Sequence, residues 1–157
     1  MKKKGQNNKR FLFFIAFFVS IILIALLLKV FYVPTKTYHS DFLKISIDYP
    51  SNYQMEERFG TITLQSAKGK ITVGSNGTNY ESIDEYLEDL SHANNFTITN
   101  KEKIKFKYEL ATLVTIDNEK KDYFFYPAKW SVYVISASSS VLYPDLDRIA
   151  KSFRYEP

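Results

Sequence analysis

The sequence predicts an α+β domain, a mostly antiparallel β-sheet covered by helices, preceded by a single transmembrane helix. Three observations carry this reading. An apolar run without charge lies near the N-terminus, a series of segments alternates apolar and polar residues, and two stretches repeat apolar residues at helical spacing.

The apolar run, FLFFIAFFVSIILIALLL, occupies residues 11–28, and Ser20 is its only polar side chain. At 1.5 Å per residue a helix of that length spans about 27 Å, close to the roughly 30 Å hydrocarbon core of a bilayer. With Lys29 snorkelling, Val30 to Val33 extend it, Phe31 and Tyr32 fall where an aromatic belt belongs, and Pro34 ends it. Residues 11–33 therefore read as a membrane anchor in contact with the lipid bilayer. A cleaved signal peptide competes, but its apolar middle is shorter and is followed by small residues, whereas LLLKVFYVPTK is bulky. A type IV pilin helix would need a processing glycine directly before the run and a glutamate within it; Arg10 stands in the first place and the second is missing.

Charge sets the orientation. Lys2, Lys3, Lys4, Lys9 and Arg10 crowd the ten residues before the run, so residues 1–10 are expected in the cytoplasm and residues 34–157 outside it. Six of the 21 Lys and Arg precede Pro34 and all 17 Asp and Glu follow it, which leaves the outer part with 15 basic against 17 acidic residues, a net of −2. The overall +4 therefore gives no argument for nucleic acid, which needs basic residues clustered on the folded part. Cysteine is absent, and with it disulfides, thiolate metal sites, a cysteine nucleophile and a lipidated cysteine. An extracytoplasmic domain without disulfides, rich in Lys, Asn and Ile, fits a bacterium.

Within the outer part, Tyr38 to Tyr49 reads as a first strand, with Ile45, Ile47 and Tyr49 alternating with Lys44, Ser46 and Asp48 before Pro50. Thr61 to Ser66 and Lys70 to Ser75 form a hairpin about Lys68-Gly69, and Ser75 to Asn79 is a loop by composition. Ser82 followed by Glu85 is a capping box, and Ile83, Tyr86, Leu87 and Leu90 make the apolar stripe of the helix it opens. Phe96 to Ala137 is strand-rich, broken at Asn118 to Lys121, and Ser138 to Ser140 breaks the chain again. A closing helix then starts at Pro144, with Leu146, Ile149, Ala150 and Phe153 on one side.

No constellation for catalysis emerges, and the chain reads as a non-enzyme with no catalytic, cofactor or metal residues. His39 with Asp41 could be half of a metal site or a base with its orienting acid, but a site needs three or four converging ligands. His92 stands alone on a helix tail. Ser138 to Ser140 lack a nucleophile elbow, and Asp117, Asp122, Asp145 and Asp147 lack the spacing of a calcium loop. Glu85, Glu88 and Asp89 could hold a cation, although a solvated helix face explains them more simply. Two glycosylation triplets, at Asn76 and Asn95, have no role in a bacterium.

Aromatic residues make up 17% of the chain and cluster in Tyr123-Phe124-Phe125-Tyr126. Alternation buries Tyr123 and Phe125 and leaves Phe124 and Tyr126 outward, or the reverse; Phe124 and Tyr126 are the candidate partner-binding patch, and a second helix layer covering them is the competing arrangement.

Three stretches together are familiar. Ile45 to Tyr53, with its strand and Tyr49-Pro50, resembles the opening of PsbP-like domains; Ser82 to Leu87 is similar to their first helix, and Leu146 to Tyr155 to their closing helix and last short strand. The resemblance covers most of Tyr38 to Tyr155. It implies an α/β/α sandwich shared with an extrinsic photosystem II subunit and a Ran-binding nuclear import factor, proteins that bind other proteins and are not enzymes. It carries over no functional residue, and the anchor separates this chain from the photosynthetic subunit. The functional expectation is a non-enzymatic binding or assembly module of the envelope, partnered with another envelope protein. An extracytoplasmic domain for a small-molecule or cell-wall ligand is the alternative.

Overall fold

A computed structural model describes residues 17–22 and 33–157. The expected tail, residues 1–10, lies outside the described residues, as does most of the expected anchor; residues 17–22 are helical. Among the described residues no helix is long and apolar enough to cross a membrane. Thr35–Pro157 forms a compact unit of its own.

That unit contains β1 (Thr35–Ser40), β2 (Ile45–Pro50), β3 (Gln54–Arg58), β4 (Thr61–Ser66), β5 (Gly69–Gly77), α1 (Ile83–Asn94), β6 (Ile98–Lys105), β7 (Leu110–Ile116), β8 (Lys120–Ala128), β9 (Ser131–Ala137), a 3-10 turn at Ser140–Leu142, α2 (Tyr143–Ser152) and β10 (Arg154–Tyr155). The strands make two antiparallel sheets, one of seven in the order β3-β4-β5-β9-β8-β7-β6 and one of three in the order β1-β2-β10.

Period two sorts the large sheet's side chains between two cores. Tyr123 and Phe125 of β8, with Tyr133, Ile135 and Ala137 of β9, join the cluster that Ile45, Ile47 and Tyr49 of β2 and Leu146, Ile149 and Phe153 of the C-terminal segment complete. Phe124, Val132 and Val114 point the other way, into a smaller cluster with Tyr86 and Leu87 of α1. The layers are thus α1, the seven-stranded sheet, and α2 with the small sheet. An α+β architecture of mostly antiparallel sheets is what the alternating segments require once helices cover both faces.

Helix α1 begins where its cap predicts. Ser82 Oγ accepts the Glu85 N–H at 3.2 Å, while the Glu85 carboxylate reaches back to the N–H of Glu81 at 3.3 Å. Asn95, at φ 53°, closes it in the left-handed conformation that Asn tolerates. Leu87 is 1% exposed. Leu87→Ala is therefore expected to cost roughly 2–5 kcal/mol, against about 1 kcal/mol for Ser82→Ala, in chemical denaturation of the domain. Equal, small effects would detach this helix from the core.

Three boundaries differ from expectation. The single strand expected over Tyr38 to Tyr49 is two, because Ser40 Oγ accepts the Leu43 N–H at 3.0 Å and Lys44 takes φ 57°, folding residues 41–44 into a turn. Strand β3, charged along Glu56-Glu57-Arg58, was not expected; as a sheet edge it has little to bury beyond Met55 and Glu57. The loop expected over Ser75 to Asn79 starts later, since β5 stays paired with β9 as far as Gly77 and Ser131.

Candidate functional site

The turns at one end of the large sheet gather its exposed aromatic side chains. Arg58 pairs with Thr61, Thr61 with Gly74, Gly77 with Ser131, and Lys105 with Leu110. The β3–β4, β8–β9 and β6–β7 turns therefore lie together at the same end. Phe59, Trp130 and Tyr108 project from them, and Phe42, in the β1–β2 turn, lies against Gly60. Val141, after β9, is an exposed large apolar residue of the opposite end.

Phe59 is the most exposed of this group. Like Trp130, at φ 74°, it has positive φ, and it occupies the first position of a two-residue hairpin loop in which Phe59 and Gly60 have φ 48° and 70°. Positive φ at both positions is the signature of a type I′ turn, which favours Asn-Gly. A bulky residue there bears roughly 1–2 kcal/mol of steric cost that no burial offsets. Gly60 is required, because a Cβ on it would lie 2.8 Å from Phe42 Cε1.

Phe42 and Phe59 line one notch with Tyr38, His39, Asp41 and Glu57, about 470 Å³ in volume. Tyr38 Oη donates to Glu57 Oε2 at 2.6 Å and Ser40 Oγ to Glu57 Oε1 at 2.8 Å, which fixes the carboxylate. That hydrogen bond, with burial, pushes the Tyr38 phenol up to about 12, so it remains a donor. Among the described residues no Lys, Arg or His reaches ion-pair distance of Asp41 or Glu57.

A second concavity, about 710 Å³, runs between α1 and the edge strand β6, with Leu87, Phe96 and Ile98 as apolar lining and Asp84, His92 and Lys101 among the polar groups. Lys101 and Lys103 already hold Asp84, at 2.5 and 3.0 Å, and keep its carboxyl below its ordinary range.

The residues singled out from sequence scatter. His39 Nδ1 lies 3.2 Å from Glu156 Oε2, and His92 lines the α1–β6 groove. Of the pair His39 and Asp41, both line the aromatic notch, and Ser138 Oγ accepts the Lys70 N–H at 3.0 Å as part of a turn. Among the described residues no three His, Asp or Glu side chains converge as a metal site would require.

The outward aromatic pair is corrected. Phe124 is 2% exposed, packed 6.4 Å from Tyr86 beneath α1, and the half-buried Tyr126 gives its hydroxyl to Tyr80 O at 2.9 Å. The helix layer covers the face that alternation left open. What sequence reasoning missed is the pair Phe42 and Phe59. The legible signal was a Phe-Gly dipeptide between two charged or polar alternating segments.

No protein family matches the chain by sequence, and no curated protein does. Among solved structures, cyanobacterial PsbP (CyanoP) from Synechocystis sp. PCC 6803 superposes with a TM-score of 0.54 at 8% identity, covering 79% of this chain and 94% of that one. The Ran-binding protein Mog1p of Saccharomyces cerevisiae gives a TM-score of 0.47 at 11% identity over 79% of this chain and 96% of its own. The first likeness shows a PsbP-like fold; at such identity it speaks for the fold alone.

Proposed function

We propose that this chain is a membrane-tethered, non-enzymatic binding or assembly module of a bacterial envelope, its domain held outside the cytoplasm by residues 11–33 and engaged with another envelope protein. The observation that carries the reading is the pair Phe42 and Phe59, exposed in adjoining turns, one of them held in a conformation that costs energy and serves no core. Thr35 pairs with Pro50 and Ser40 with Ile45, so the chain enters the domain at the end of β1 remote from these turns, roughly 17 Å away. The aromatic end is thereby presented away from the point of entry, as a module reaching for a partner requires.

The full-length chain, extracted from membranes in mild detergent, should migrate in a complex larger than itself. Migration at its own mass contradicts the reading. The topology has its own check. A reporter active only outside the cytoplasm, fused after Pro157, should be active and the mature protein should retain residues 1–33; activity of a cytoplasm-only reporter there reverses the orientation. The non-enzymatic part predicts that His39→Ala with His92→Ala leaves the cellular role intact. A folded double variant that loses the role while still migrating in the larger complex would reveal a catalytic or metal site.

One observation favours a second reading, a small-molecule or cell-wall ligand domain. The α1–β6 groove joins an apolar lining to hydrogen-bonding groups. Its discriminating result would be loss of the role on blocking Ile98 while Phe59 variants behave normally.

A further inference from the structure

The geometry points to the ligand chemistry of the notch: we infer that Tyr38, Phe42 and Phe59, with the carboxylates of Asp41 and Glu57, receive an Arg or Lys side chain of the protein partner. This deepens the binding-module reading and rests on it. Aromatic faces attract cations through their quadrupole, and a nearby carboxylate adds Coulombic attraction and a hydrogen-bond acceptor.

The chain itself provides the contrast. Its other exposed aromatics at this end already carry a cation of their own, with Lys129 Nζ 4.7 Å from the Trp130 ring centre, and Lys107 Nζ and the Arg154 guanidinium 4.8 and 5.2 Å from that of Tyr108. Among the described residues no such cation lies over Phe42 or Phe59, and none pairs with the two carboxylates beside them. Glu57 is braced by two hydroxyl donors, leaving further lone pairs for a charged donor, and Asp41 is exposed at the rim. His39 also lines the notch, but its Nδ1 lies 3.2 Å from Glu156 Oε2, so the carboxylates left to face an incoming group are Asp41 and Glu57. Negative charge here disfavours an anionic bilayer surface and favours a basic segment of protein.

The test follows backbone amide shifts of the full-length chain in neutral detergent micelles. The probes are Ac-Ala-Ala-Arg-Ala-Ala-amide, its Gln counterpart, tetramethylammonium and phosphatidylglycerol vesicles. The Arg peptide should give saturable shifts centred on Phe42, Phe59 and Gly60, and the Gln peptide none. Glu57→Gln, which keeps the hydroxyl contacts, and Asp41→Asn at the exposed rim should each weaken binding by about fivefold. Shifts centred instead on the acidic face of α1, indifference to both variants, or equal binding of the Gln peptide would overturn the assignment. So would binding of tetramethylammonium as tight as that of the peptide, or a preference for the vesicles. If Phe59→Asn removes the membrane-extracted complex while the Arg peptide does not bind, the module reading stands and the cationic ligand falls.

Discussion

Phe153→Ala is expected to destabilise the domain by about 3–5 kcal/mol. Phe153 is fully buried at the exit of α2, its ring stacked 4.2 Å from that of Phe125 and tilted 5.5 Å from that of Tyr133. It joins the closing helix to the centre of the large sheet, so truncation opens a cavity lined by elements far apart in sequence, and these cannot collapse together without moving the sheet. Against a total stability of about 5–15 kcal/mol, the variant loses a large share of its folded population. Denaturant titration measures it. A loss below about 1 kcal/mol would mean that α2 and the sheet do not share one core.

Phe59→Asn is expected to act in the opposite sense on stability while abolishing the complex. Asn accepts left-handed φ with little strain, so the substitution should stabilise the domain by about 1 kcal/mol. It also removes the most exposed aromatic side chain of the domain, which lines the notch with Phe42. A loss of partner binding in a more stable protein has no explanation in unfolding, and that separates function from fold. Buried aromatics such as Phe124 offer no such separation, because their truncation removes core contacts with α1.

The reason Phe124 misleads and Phe59 goes unseen is physical. Period two states which residues of β8 share a face, but when helices cover both faces of a sheet neither face is marked as wet. Tyr123-Phe124-Phe125 is therefore apolar throughout, and only the packing of Tyr86 against Phe124 shows where α1 lies. The elements read correctly rest on local signals. The Ser82 cap and its stripe gave α1, Pro144 marked the first turn of α2, and the β4–β5 hairpin followed from alternation on both sides of a turn. The elements missed depend on tertiary context. Strand β3 is paired on one side only and buries little, so its residues carry no apolar period, and the turn after Ser40 is closed by a hydroxyl contact that alternation does not encode. The notch itself unites β1, its turn and the β3–β4 hairpin, which become neighbours only through the fold.

The most direct test of the account places a photocrosslinking phenylalanine analogue at Phe59 in the full-length protein in intact cells, and the same analogue at Val141, exposed at the opposite end of the sheet. The account predicts a discrete crosslinked product of higher mass from position 59, lost when Glu57→Gln and Asp41→Asn are combined with it, and none from position 141. Products of equal yield from both positions, or none from position 59, would contradict it.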